Sequence, residues 1–128
     1  MPSLGMGEKH KLSDIIVSVI VPDSVKGNYA FGYIDEINDA FVVKYVGRSD
    51  SDLKKEIKQQ MKTHRADGCT HFKFSIAMTK KEAFEKECRN YHDFGGSDSL
   101  HNEYHPDKPD YTEYKCPVEG CEYNDRNV

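Results

Sequence analysis

The sequence predicts an α/β fold, a small sandwich with a mostly antiparallel central sheet flanked by helices. Short β-branched and aromatic runs predict strands, and two segments with apolar residues at helical spacing predict helices. Along the chain these give a β-hairpin, a helix, a strand and a helix. This order is typical of a sheet covered by helices within one domain.

The first half of the chain contains most of the predicted strands. The run 15–21, IIVSVIV, is β-branched and predicts a strand before the hairpin. Residues 28–33 alternate aromatic with small side chains, and residues 41–46 are again β-branched and aromatic. Because the polar segment 35–39 between them is rich in turn-forming residues, we expect an antiparallel hairpin.

The second half alternates helix and strand. Leu53, Ile57 and Met61 recur every four residues, which predicts a helix of about three turns ending before Gly68. Residues 71–78 alternate apolar with polar or small side chains and predict a strand. A second helix is expected over residues 80–94.

Length and composition favour a single globular domain. The chain has 128 residues, a net charge of −4 and 37% hydrophobic residues, a balance that argues against wholesale disorder. We divide it into a flexible N-terminal tail (1–12), a domain (13–106) and a C-terminal extension (107–128). The mean hydropathy of −0.79 predicts no membrane span. The first residues lack an apolar signal segment, so we expect a cytoplasmic protein with reduced cysteines.

Three side chains are candidates for chemistry on residue type and place alone. Tyr29 and Tyr45 lie on the two strands of the hairpin, where pairing can bring their phenols together to orient a water molecule. The alternative is that both rings fill one face of the sheet. Glu87, on the apolar face of the second helix, is either a half-buried carboxylate with a partner or a metal ligand.

These residues also carry a family resemblance. Gly27-Asn28-Tyr29, then Tyr45-Val46-Gly47-Arg48-Ser49 and a lysine-rich helix, then Glu87 and finally Asn102, resemble the GIY-YIG nuclease domain. The resemblance covers residues 28–102. Tyr33, in Gly32-Tyr33, is a rival placement for the first tyrosine of the motif.

The resemblance implies an endonuclease that hydrolyses phosphodiester bonds with one divalent cation, Mg²⁺ or Mn²⁺. Tyr29 and Tyr45 would position or activate the attacking water, and Glu87 would hold the cation. Asn102 would steady the site through hydrogen bonds. DNA is the expected substrate, and RNA is the alternative.

One departure from the family pattern concerns the first helix. The family places an arginine there, but Glu56 occupies that position, and a carboxylate repels a phosphate. Gln60 stands near the place of a frequent histidine. Arg48 or Lys55 is the expected substitute for the arginine. Either another residue repairs the site, or the protein is a weakened endonuclease, or it is an inactive module of the same fold that binds nucleic acid or protein.

Two further features concern metals and charge. Cys116 and Cys121, together with His101 and His105, could bind Zn²⁺ through two thiolates and two imidazoles; the alternative is free thiols in a loop. The best candidate for a nucleic-acid face is a basic cluster, which is also what an ordinary solvated helix face looks like. It consists of Lys54, Lys55, Lys58, Lys62, Arg65, Lys80 and Lys81.

Overall fold

A computed structural model describes residues 3–126, with side chains through Asn124. Four antiparallel strands form one sheet in the order β1-β4-β2-β3. The strands are β1 (His10–Lys11), β2 (Lys26–Asp35), β3 (Ala40–Ser49) and β4 (His71–Ala77). The helices are α1 (Asp14–Ile20), α2 (Leu53–Ala66), α3 (Lys80–Asp93), α4 (Gly96–Ser99) and α5 (Glu122–Arg126). The predicted α/β sandwich is confirmed.

The predicted hairpin of β2 and β3 is present, with β2 inside the sheet between β4 and β3, and with β3 at the edge of the sheet. Tyr29 pairs with Gly47 and Phe31 pairs with Tyr45, and the register shifts by a bulge between Phe31 and Gly32. Side chains two residues apart lie on the same face of a strand. Tyr29 and Tyr45 therefore project from the same face of the hairpin as diagonal neighbours.

The strand predicted over residues 15–21 is wrong, because this segment is helix α1. The hydroxyl of Ser13 accepts a hydrogen bond from the backbone N–H of Ile16 and so caps the helix. Val17 and Val21, four residues apart, are buried against the core, whereas Val19 is 77% exposed. This four-residue burial pattern is helical, and the cap together with tertiary packing outweighs the weak β preference of the valines and isoleucines.

Helices α2 and α3 begin where their caps predict. Asp52 accepts a hydrogen bond from the N–H of Lys55, and Thr79 accepts one from the N–H of Glu82. In α2 the buried stripe predicted from Leu53, Ile57 and Met61 continues to His64. In α3 the buried face includes a carboxylate and a thiol among apolar side chains; it comprises Ala83, Phe84, Glu87, Cys88, Asn90 and Tyr91.

The two helical layers cover opposite faces of the sheet. Tyr29 and Phe31 of β2 pack with α1 and α2, whereas Ala30 of β2 packs with Tyr91 of α3. The segment expected to be a flexible tail contributes Leu4, Met6 and Leu12 to the core and forms β1. Among residues 3–126, no helix combines the length and apolar character that crossing a bilayer requires.

Candidate functional site

The two tyrosines of the hairpin contact each other, as their strand positions predict. Their ring centroids are 6.1 Å apart. Glycine at position 47 permits this arrangement, because a Cβ there would lie 2.5 Å from Cζ of Tyr29. The rival Tyr33 is 41% exposed. Tyr29 is therefore the tyrosine of β2 that meets Tyr45.

Tyr29 is fully buried, and its hydroxyl donates a hydrogen bond of 2.9 Å to Oε2 of Glu56. Burial, followed by the proximity of Tyr45 and Glu56, raises the pKa of Tyr29 well above its ordinary value. The phenol therefore stays protonated and acts as a donor. Glu56, the residue that departs from the family pattern, has the specific structural role of accepting this bond.

Tyr45 differs from Tyr29 because it lines a cavity. The cavity has a volume of about 350 Å³ and lies beside β3, with walls from both helical layers. Burial and then the charge of Glu87 raise the pKa of Tyr45. The described residues that line the cavity are Tyr45, Gln60, His64, Glu87, His101, Asn102, Glu103 and Tyr104.

Glu87 brings a carboxylate from α3 to this cavity. It is 8% exposed, and its Oε1 accepts a hydrogen bond of 2.7 Å from Nη1 of Arg48. Burial raises the pKa of Glu87 to about 7, although Arg48 opposes the shift; Asp50 and Glu56 add to it. Near neutral pH this carboxyl group is therefore poised between its two protonation states.

Arg48 does not take the place of the missing phosphate-binding arginine in this structure. Its Nε donates to Oδ1 of Asp50 at 2.9 Å, and its guanidinium lies over the ring of Phe84. With Nη1 already bound to Glu87, the cation is matched by two carboxylates. Its side chain is not part of the cavity wall formed by the described residues. Arg48 therefore orients Glu87 rather than facing a ligand.

Asn102 holds the edge of β3. Its Oδ1 accepts a hydrogen bond from the N–H of Val46 at 3.0 Å, and its Nδ2 donates to the carbonyl of Val46 at 2.8 Å. The side-chain amide thus pairs with Val46 as a further strand would. It fixes the backbone next to Tyr45.

Sequence reasoning missed the role of the histidines in the cavity, because it named His101 only as a possible zinc ligand and gave His64 no role. The His64 ring centroid lies 4.0 Å from that of Tyr45, and Nδ1 of His64 lies 3.4 Å from Nδ1 of His101. Burial, followed by the proximity of His101, lowers the pKa of His64, so the His64 imidazole favours its neutral form. The sequence contained one signal that could have identified His64. Glu56, Gln60 and His64 are four residues apart, and this spacing places the three on one face of a helix.

A second group of side chains lies at the C-terminal end of α3, and it corrects the predicted zinc set. Ligand atoms of His92, His105, Cys116 and Cys121 all lie within 4.8 Å of one another. His101, predicted as a ligand, instead pairs with His64 across the cavity. We call His92, His105, Cys116 and Cys121 the Cys/His group. It could bind a metal ion.

The predicted basic face is only partly available. Lys54 Nζ bonds to Asp23 at 2.7 Å, and Lys58 Nζ lies 3.6 Å from Asp14. Each of these two lysines is thus paired with an acid. The remaining members of the cluster are exposed: Lys55, Lys62, Arg65, Lys80 and Lys81.

Comparison of the chain with known protein families, with curated proteins and with solved structures gives no significant match.

Proposed function

We propose that the protein is a metal-dependent endonuclease of the GIY-YIG type, with Tyr45 and Glu87 at its centre. The observation that carries the proposal is the convergence of Tyr45, Glu87 and Asn102 on one cavity, although they come from separate parts of the chain. If Tyr45 only filled one face of the sheet, it would need neither a carboxylate nor an amide beside its hydroxyl. Because the comparisons with known proteins give no match, the proposal rests on this geometry.

The residues of the cavity fit a hard divalent cation. Glu87 offers a carboxylate oxygen, and Mg²⁺ or Mn²⁺ commonly binds through one or two carboxylates while it keeps several waters. Since Arg48 bonds to Oε1 of Glu87, Oε2 is the oxygen for the cation. A bound cation would polarise the phosphoryl oxygen and stabilise the developing negative charge.

The other side chains would orient the reactants. Tyr45 has a raised pKa, so its neutral hydroxyl hydrogen-bonds the attacking water rather than acting as a strong base. Tyr29 and Asn102 are positioning residues, because the first bonds to Glu56 and the second bonds to Val46. DNA is the proposed substrate, bound at its backbone by the exposed lysines and Arg65.

The test is Mg²⁺-dependent cleavage of a panel of single-stranded, duplex and branched DNA and of duplex RNA. We expect Tyr45→Phe and Glu87→Gln each to lower the cleavage rate by at least about 100-fold, because a hydrogen bond that orients the attacking water or a cation ligand is lost. Tyr33→Phe is the matched control and should retain the wild-type rate, since Tyr33 lies away from the cavity wall. Equal rates for wild type and Glu87→Gln would overturn the assignment.

A binding module without catalysis is the second candidate. The ion pair of Arg48 with Glu87 and the presence of Glu56 favour it, because both reduce the capacity of the site for a cation and a phosphate. Binding of nucleic acid that weakens with salt, ignores Mg²⁺ and leads to no cleavage would support this candidate. Neither function depends on the Cys/His group, and zinc at that group is a separate proposal.

A further inference from the structure

The Cys/His group joins two distant parts of the chain. His92 is in the last turn of α3, whereas His105, Cys116 and Cys121 come after α4, in residues 100–121, which we call the C-terminal segment. We propose that these four residues bind one Zn²⁺ ion in tetrahedral geometry and thereby fasten the C-terminal segment to α3. The ion would be structural, and the proposal goes beyond the proposed function and does not depend on it.

The separations suit a tetrahedral ion. With zinc–sulfur bonds of about 2.3 Å and zinc–nitrogen bonds of about 2.0–2.1 Å, neighbouring ligand atoms lie about 3.3–3.8 Å apart. Sγ of Cys121 lies 3.3 Å from Nε2 of His105, and all four ligand atoms fall within 4.8 Å of one another. Small side-chain rotations would bring the set to the ideal spacing.

His92 supplies an independent observation that points to a ligand. Its Nε2 is buried and has no hydrogen-bond partner among the described residues. A buried polar atom without a partner is costly, by the penalty of removing it from water. Coordination to a metal ion would satisfy this nitrogen, and a ring nitrogen of His92 lies within 4.8 Å of both thiols.

His105 is held in the tautomer that a metal requires. Its Nδ1 lies 2.7 Å from the carbonyl oxygen of Pro106, which can only accept, so Nδ1 carries the proton. Nε2 then presents its lone pair beside Cys121. A ligating histidine typically donates its other ring N–H to a carbonyl in this way.

The backbone of Cys116 is fixed as well. Its N–H donates to Oδ1 of Asn124 at 2.8 Å, and its carbonyl accepts from Nδ2 of Asn124 at 2.9 Å. The same amide thus closes the loop that carries Cys116 and Cys121. The two thiols are 4% and 9% exposed, and all four cysteines of the chain are free in the structure.

The chemistry of the donors selects zinc. Two thiolates and two imidazoles in a tetrahedral arrangement favour Zn²⁺ over the hard cations that prefer oxygen. A neighbouring cavity of about 650 Å³, lined by His92, His105 and Cys121 among others, gives an ion access to the group. Residues 100–121 contain no helix or strand. A metal ion that crosslinks them to α3 would stabilise their arrangement.

The test measures metal in the full-length protein purified without chelator. We expect about one zinc per chain in the wild type and at least a tenfold loss in His92→Ala and in Cys121→Ser. His101→Ala is the matched control: it removes the histidine that sequence spacing alone would choose, and it should retain the zinc. Full zinc in His92→Ala, or loss of zinc in His101→Ala alone, would overturn the proposed ligand set.

A second measurement covers variants that fail to fold. Wild-type protein loaded with Co²⁺ should show the intense visible absorption of a four-coordinate ion and a thiolate charge-transfer band, and added Zn²⁺ should abolish both. An octahedral spectrum, no binding of either metal, or a Cys116–Cys121 disulfide in the freshly purified protein would contradict the proposal. None of these readouts involves nuclease activity, so the zinc site and the proposed function can fail separately.

Discussion

Glu87 is buried beside Arg48, and opposing influences set the pKa of its carboxyl group. Loss of water raises the pKa from 4.5 to about 7, although the guanidinium of Arg48 acts in the other direction. Asp50 and Glu56 add negative charge nearby and raise it further. The position of Glu87 on the apolar face of its helix indicated a carboxylate with a partner, but the sequence did not identify Arg48 as that partner.

The raised pKa predicts a pH dependence of stability. Between pH 4.5 and about 7, folded Glu87 holds a proton that the unfolded chain releases, so its contribution to the free energy of unfolding falls as the pH rises. The contribution is fully present below pH 4.5 and is lost above about pH 7. Its size is on the order of 3 kcal/mol, since the pKa rises from 4.5 to about 7 and one pKa unit corresponds to about 1.4 kcal/mol.

We therefore expect Glu87→Gln to remove this downward slope. The measurement is urea unfolding at a series of pH values between 4.5 and 7.5, without added divalent cations. Glu85→Gln, on the same helix, is the control and should keep the wild-type slope. An unchanged slope in Glu87→Gln would show that the carboxyl group titrates normally.

At the scale of elements, α1 shows why the β-branched run was misread. A seven-residue apolar run does not by itself distinguish a buried strand from a short helix. The decisive information was the cap at Ser13 and the packing of Val17 against the core. For the hairpin, local patterning was enough, because alternation and a turn fix both the strands and their pairing.

The helix makes a prediction that a strand does not. Val17 is fully buried and Val19 is 77% exposed, whereas in a strand the two would share one face. We expect Val17→Ala to lower the free energy of unfolding by about 2 kcal/mol through the lost packing. Val19→Ala should change it by less than about 0.5 kcal/mol. Denaturant unfolding of both variants checks this, and equal losses would favour the strand.

At the scale of the whole molecule, the segment after α3 is tied to the edge of the sheet. Asn102 bonds both backbone groups of Val46, and the N–H of His101 bonds to the carbonyl of Lys44. Asn102 is 8% exposed, so removal of its amide would leave buried groups of Val46 without partners. This link fixes one wall of the cavity that Tyr45 and Glu87 also line.

We predict that Asn102→Ala destabilises the protein by about 2–4 kcal/mol, since each buried backbone group left unpaired costs about 1–3 kcal/mol. Thermal or urea unfolding gives the value. Asn38→Ala removes an exposed amide that bonds only to Asp35 among the contacts of the described residues, and it should be nearly neutral. If the two variants were equally stable, Asn102 would not hold the edge of β3.

The spacing of the cysteines and histidines along the chain did not predict which of them meet in the folded protein. His101 and His105 are close in sequence to each other, which made them a natural pair. In the structure they face different neighbours, His64 and the Cys/His group, and His92 of α3 completes the second set. A segment without helical or strand periodicity gives no information on the direction of its side chains.

The sequence by itself determined the hairpin, both long helices and the last strand, because these depend on periodicity and caps within a few residues. It also indicated that pairing of the hairpin strands can bring Tyr29 and Tyr45 together, whereas the register that puts them on one face came from the structure. Only the tertiary structure decided that Glu87 and Asn102 reach Tyr45, that Glu56 accepts the hydrogen bond of Tyr29, and that His92 joins the cysteines. These contacts depend on how the helices cover the sheet, and spacing along the chain does not encode that arrangement.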